Sequence, residues 1–222
     1  MNLEEYEKEF YSQDNFDFEN SRVRIDRALD LVGTKKIVLD VGCWDGSISK
    51  LIQDRNNKVI AVDISPKSVE KAIAKGIDAR TCNITEGLPF PNESFDVVYM
   101  GDILEHLFDV EKALAEAHRV LKRGGELIIT TVNVCSLRDR ILLLFGHLPA
   151  YYGTHKDHIR LFNRKKLEHL LKEAGFKTVL FEGLMIELPY TPSGRKFVYI
   201  GFTKKFASLA TQFIIKAQKK DD

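Results

Sequence analysis

Val38-Leu39-Asp40-Val41-Gly42-Cys43-Trp44-Asp45-Gly46-Ser47 reads as a strand, a glycine turn and the start of a helix. The run from Ile37 to Asp40 is a buried strand ending on a carboxylate. Gly42 and Gly46 then turn the chain into Ser47-Ile48-Ser49-Lys50-Leu51-Ile52. A second apolar run, Val59-Ile60-Ala61-Val62, also ends on a carboxylate, Asp63, 21 residues after Gly42. Strand, glycine turn, helix and an acid about 20 positions on is the layout of a nucleoside-binding βαβ unit. The glycines let the backbone approach a ligand closely, and the second acid can hold both ribose hydroxyls.

The glycine spacing narrows the ligand. A dinucleotide fingerprint needs G-x-G-x-x-G, whereas this turn reads Gly42-x-x-x-Gly46 with no third glycine three residues on. A pyrophosphate cradle for NAD is therefore disfavoured, and without G-K-[ST] the turn is no P-loop.

Asp40-x-Gly42-Cys43 resembles the first motif of the Rossmann-like (class I) S-adenosylmethionine (SAM)-dependent methyltransferases, which usually reads Asp-x-Gly-x-Gly-x-Gly. Trp44 stands where the middle glycine of that motif lies, so its indole either crowds the methionine end of the cofactor or points outward and closes over it. A second segment, Leu88-Pro89-Phe90 followed by Ser94-Phe95-Asp96-Val97-Val98, is similar to the stretch before the fourth strand of the same class. The resemblance covers roughly residues 20 to 182 and implies SAM as cofactor, bound beyond the carboxyl ends of strands one, two and four. It assigns Asp40, Gly42, Cys43, Trp44, Gly46, Asp63, Ile64, Asn83 and Ile84 to the cofactor. Ile64 would cover one adenine face. Asn83 stands where family members often carry an acid that meets the adenine amino group.

The whole chain sets outer limits. Its 222 residues suit a single domain with a sizeable core. The 33 basic and 32 acidic residues nearly cancel, so composition points to no nucleic-acid or anionic-membrane partner. The acidic start Met1-Asn2-Leu3-Glu4-Glu5 is not a signal peptide, and the longest purely apolar run, Ile141 to Phe145, is too short to span a membrane. Cys43, Cys82 and Cys135 form no disulfide or zinc spacing, and the expected compartment is the cytoplasm.

Along the chain, residues 1–20 read as an arm or lid, and Ser21 to Leu31 as a leading helix. Ser65-Pro66 opens a helix that stops at Gly76. A short strand is expected at about Ala79 to Cys82, a fourth strand at Phe95 to Met100, a helix at Val110 to Leu121 and a fifth strand at Glu126 to Val132. Residues 136–161 break the alternation and read as a lid insertion, with Phe145, His147, Tyr151 and Tyr152 as an aromatic acceptor lining. The leucine run at 141–144 reads as core or dimer contact more readily than as substrate groove. Asn163 caps a further helix, and Lys177 to Phe181 and Gln212 to Ala217 read as the last strands, either side of a polar stretch at 187–196. The expected architecture is α/β: about seven mostly parallel strands with helices on both faces.

Methyl transfer from a sulfonium releases a neutral thioether, so in-line alignment carries most of the catalysis. An oxygen acceptor also needs a base or a metal to remove its proton. Gly101-Asp102-Ile103-Leu104-Glu105-His106 follows strand four, and a helical turn there would put Asp102, Glu105 and His106 on one face. Glu105 and His106 are the catalytic candidates. The pattern looks like the acid-x-x-Glu-His of ubiquinone-pathway O-methyltransferases and of small-RNA terminal-ribose methyltransferases, where it binds metal. That likeness implies a divalent ion on Asp102, Glu105 and His106 with His155 or His158. A base role for His106 without metal and a purely structural role stay open, and Arg160 is read as a substrate contact or a surface ion pair. The functional expectation is methyl transfer to a small-molecule acceptor, with oxygen favoured. The alternatives are a ribose or sugar hydroxyl on a larger acceptor, and a nucleoside-binding protein that has lost catalysis. Oligomeric state has no signal.

Overall fold

The structure, a computed structural model, describes residues 18–149, 158–186 and 201–220. Five strands run parallel: β1 (Ile37–Val41), β2 (Lys58–Asp63), β3 (Asp78–Thr81), β4 (Phe95–Gly101) and β5 (Leu121–Val132). Two more, β6 (Phe176–Leu184) and β7 (Gln212–Lys219), close one side in antiparallel sense. The order is β3-β2-β1-β4-β5-β7-β6. Pairing aligns Asp40 with Ala61 on β2 and with Tyr99 on β4, so the ends of β2, β1 and β4 stand side by side.

Period-two burial explains why the sheet is covered twice. Val38 of β1 and Val97 and Tyr99 of β4 face α1 (Phe18–Val32), meeting Ile25, Ala28, Leu29 and Val32. Leu39, Val98 and Met100 face the other way, into a core shared with α4 (Val110–Val120) and α6 (Arg164–Glu173). Strands apolar on both faces are those a parallel sheet requires. Helices α2 (Ser47–Asp54) and α3 (Pro66–Ala74) follow β1 and β2. The Ser65 and Asn163 side chains cap α3 and α6 by accepting from the N–H groups of Ser68 and Lys166.

Three expectations change. The fifth strand, expected from Glu126, begins at Leu121 directly after α4, where Leu121 pairs with Phe95 ahead of an irregularity in register. The leucine run forms α5 (Leu137–Leu144), and Leu143, Leu144, Phe145 and Leu148 are exposed rather than core. The leading helix starts at Phe18, inside the segment read as an arm. Residues 1–17, Tyr151, Tyr152, His155 and the stretch at 187–196 lie outside the described residues. Among those described, no helix is long and apolar enough to cross a membrane.

Candidate active site

The turn after β1 is held by the neighbouring strand. The N–H groups of Gly42 and Cys43 both donate to the Val62 carbonyl, at 2.8 and 3.1 Å. Gly46 takes a φ of 76°, and a Cβ there would lie 2.7 Å from Cα of Ala72 in α3. The second glycine is thus required twice over, by backbone conformation and by helix packing.

Trp44 takes a φ of 47°, in the left-handed region where the resembling class has glycine. The substitution leaves the turn intact, because the Trp44 N–H still donates to Oδ2 of Asp63 at 2.9 Å. The Ser65 N–H donates to Oδ1 of Asp63, also at 2.9 Å. Two backbone donors therefore aim the Asp63 carboxylate, and an ionised carboxylate has about four acceptor positions, enough to add a pair of ribose hydroxyls. Burial raises the Asp63 pKa, while the backbone N–H groups pull it back. Beside it, Ile64 is 68% exposed, an apolar side chain presented to solvent at the strand tip.

The other cofactor candidates sit deeper. Asp40 is buried, and its Oδ2 accepts from the Ser49 hydroxyl at 2.5 Å, bracing the turn against α2. Burial pushes its pKa up to about 7. Cys43 is also buried, and its thiol pKa is raised first by burial and then by Asp40 and Asp63. Asn83 turns inward on its own loop: its Oδ1 accepts from the N–H and hydroxyl of Thr85, and its Nδ2 donates to Glu86. It shapes the one-turn helix Ile84–Glu86, in which Ile84 is buried.

Beyond β4 the chain does not form the helical turn the spacing suggested. Asp102 has a φ of 50°, and only Leu104–His106 make a single 3₁₀ turn. Asp102 therefore leaves the face of Glu105 and His106. Its Oδ1 accepts from the Thr130 hydroxyl at 3.0 Å, and its Oδ2 pairs with Arg24 of α1 at 2.5 Å. Glu105 is 1% exposed and accepts from the Thr131 hydroxyl at 2.9 Å. Burial, then the charge of Asp102, raise its pKa.

What joins Glu105 and His106 instead is His158. One ligating atom from each lies within 4.8 Å of the others, and the two imidazoles meet edge to face, centroids 4.9 Å apart. The backbone makes this contact. Ile159 and Arg160 both donate their N–H to the Glu105 carbonyl at 3.0 Å, and the Arg160 guanidinium donates to the carbonyls of Leu107 and Phe108. Arg160, read from sequence as a substrate contact or a surface ion pair, instead straps the 158–160 segment onto the β4 tip. One carboxylate and two imidazoles form a donor set suited to a divalent transition ion.

The methyltransferase-domain family matches residues 39–129, which span the glycine turn, Asp63 and the β4 tip. Over that span the chain resembles the Rossmann-like SAM-dependent methyltransferases. It is 29% identical over 167 residues to the human mitochondrial protein named ubiquinone biosynthesis O-methyltransferase, covering 70% of this chain and 44% of that one. It is 34% identical over 145 residues to a Mycolicibacterium smegmatis protein named "Probable S-adenosylmethionine-dependent methyltransferase", covering 63% and 51% respectively. The chain thus spans about half the length of these curated relatives. A SAM-dependent methyltransferase structure from Thermotoga maritima superposes with a TM-score of 0.67 over 98% of both chains at 23% identity, a likeness of fold. Members of this methyltransferase class take SAM as methyl donor.

Arg24, the partner of Asp102, is a residue that the sequence alone does not single out. It lies among the apolar positions Ile25, Ala28 and Leu29 of an amphipathic helix, and nothing local distinguishes it from a solvated flank residue.

Proposed function

We propose that this methyltransferase moves the methyl group of SAM to an oxygen of a small-molecule acceptor bound over Glu105, His106 and His158. The observation that carries the reading is the convergence of those three side chains at the β4 tip, next to the strand end where the Gly42 turn lies. The adenosine end is read onto Asp63 and Ile64, and Asp40 supports the turn from beneath.

His106 accepts or relays the acceptor proton, and the buried Glu105 holds that region in register through Thr131. A divalent ion on Glu105, His106 and His158 would take over that task by supplying Lewis acidity to the acceptor oxygen, with His106 then a ligand and not the base. The donor set fits such an ion. Human ubiquinone biosynthesis O-methyltransferase, among the relatives, acts at oxygen by its name, and this supports oxygen as the acceptor atom here.

The test is transfer of labelled methyl from SAM to a panel of phenols, catechols and sugar alcohols, with chelator or with added magnesium, manganese or zinc. His106→Ala is expected to lower kcat by roughly 100-fold or more, the range of general-base catalysis, while leaving S-adenosylhomocysteine binding intact. Turnover unaffected by His106→Ala would remove the acceptor-side assignment.

A further inference from the structure

The balance of 33 basic and 32 acidic residues conceals how the fold groups them. The carboxylates of the methyl-transfer region, Asp40, Asp63, Asp102 and Glu105, stand at the carboxyl ends of β1, β2 and β4 or just beyond them. At the opposite end of the sheet a cavity of about 460 Å³ opens between the starts of β1 and β2. It is lined by Lys35, Lys36, Ile37, Asn56, Asn57 and Lys58, and has the size of a small-ligand cleft. The length of β1 separates the two ends by roughly 13 Å, at about 3.3 Å per residue.

Half of the lining residues are lysines and none is an acid. The backbone holds the lysines together. The Lys58 N–H donates to the Lys36 carbonyl at 2.9 Å, and the Lys35 N–H to the Asn56 carbonyl at 3.1 Å. The buried carboxamide of Asn57 laces the two loops to each other. It accepts from the Lys36 N–H at 2.9 Å and donates to the Gly33 and Ile52 carbonyls at 2.9 and 3.0 Å. Acids bordering these loops are committed elsewhere: Asp96, which accepts from the Ile37 N–H, pairs with Lys122, Asp54 with Lys50 and Asp30 with Arg55. Among the described residues, none of the three lysines makes an ion pair. Lys35 also takes a φ of 58°, a conformation that glycine or asparagine fills with less strain, as Asn56 does on the facing loop with a φ of 65°. Like charges held on braced loops repel one another in the folded chain and attract an anion.

Three cations across one pair of strands match a compact, multiply charged anion. Nucleic-acid binding draws on a longer row of phosphate contacts, and Asp96 interrupts this one beyond Lys36. We propose that Lys35, Lys36 and Lys58 bind a di- or triphosphate group, in a second site at the end of the sheet remote from methyl transfer. The ammonium groups act there as point charges, and Asn56 adds an amide to the lining. The site is independent of the SAM reading.

The test is calorimetric titration of the full chain in metal-free buffer at about 150 mM salt, where long-range attraction is screened. The probes are sodium phosphate, pyrophosphate, tripolyphosphate and a single-stranded oligouridylate. One saturable site per chain is expected, with tripolyphosphate bound at least about tenfold more tightly than phosphate. Lys35→Gln and Lys58→Gln should each weaken tripolyphosphate about fivefold or more. Lys172→Gln, which removes the same charge from the exposed side of α6, should change it less than about twofold. Saturating S-adenosylhomocysteine should leave the tripolyphosphate affinity unchanged. Lys35→Gly separates binding from folding, because it removes the charge and relieves the left-handed φ: affinity should fall while the melting temperature is maintained or raised.

No saturable site, affinity retained in Lys35→Gly, or equal losses in Lys35→Gln and Lys172→Gln would reduce the cavity to solvated surface charge and overturn the proposal. Displacement of tripolyphosphate by S-adenosylhomocysteine would overturn it too, by putting the anion in the cofactor turn. Oligouridylate bound more tightly than tripolyphosphate would replace the proposal with a nucleic-acid surface.

Discussion

Asp40 sits at the centre of the turn with a pKa pushed up to about 7, whereas an unfolded chain would give about 3.9. The folded form therefore keeps a proton that the unfolded form releases. With more protons bound in the folded state, stability falls as pH rises between these two values. The contribution is fully present below about pH 4 and lost above about pH 7. Urea midpoints measured from pH 4.5 to 7.5 should decline, and the decline should be smaller in Asp40→Asn. An unchanged slope would mean that Asp40 is ionised throughout. Gly46 offers a steric counterpart. Alanine there meets both a left-handed φ and the backbone of Ala72, and a loss of about 2–4 kcal/mol is expected in chemical denaturation.

Among the elements, α6 owes its start to one side chain. Asn163 accepts from the Lys166 N–H, and Asn163→Ala should cost about 1 kcal/mol, read as a lowered melting temperature with the far-ultraviolet spectrum retained. A different kind of element is the 158–160 strap, which is not a helix or strand but two N–H groups and one guanidinium laid on the β4 tip. Its role is to place His158 against His106. Arg160→Ala should lower methyl transfer by roughly tenfold with little change in melting temperature, since the lost contacts are exposed. A large drop in melting temperature instead would make the strap part of the folding core.

At the scale of the whole molecule, β7 is the strand the sheet cannot lose. It lies between β5 and β6, and Phe213, Ile214 and Ile215 are fully buried. Burying three such side chains stabilises the fold by on the order of 5–9 kcal/mol, comparable to the entire stability of many domains. A chain ending at Ala210 is expected to show no cooperative unfolding transition. Full cooperativity in that truncation would show the five parallel strands to be self-sufficient.

Short-range chemistry was legible in the sequence itself. Glycines at 42 and 46, the Ser65-Pro66 helix start, the Asn163 cap and the alternation of strands with helices depend on residues a few positions apart, and each left a local mark. The acid ending β2 was legible for the same reason. Burial and partnership across the chain were decided only by tertiary structure. Asp102 was placed by spacing on a helical face with Glu105, yet a left-handed φ and the pull of Arg24, 78 residues earlier, turned it away. His158, one of two histidines that the resemblance offered, is brought to Glu105 across 53 residues by the backbone N–H groups of Ile159 and Arg160, a contact that no local spacing specifies. The glycine turn after β1 is encoded by local sterics. The charges and imidazoles around it are brought together by the sheet, whose strand order no local signal contains.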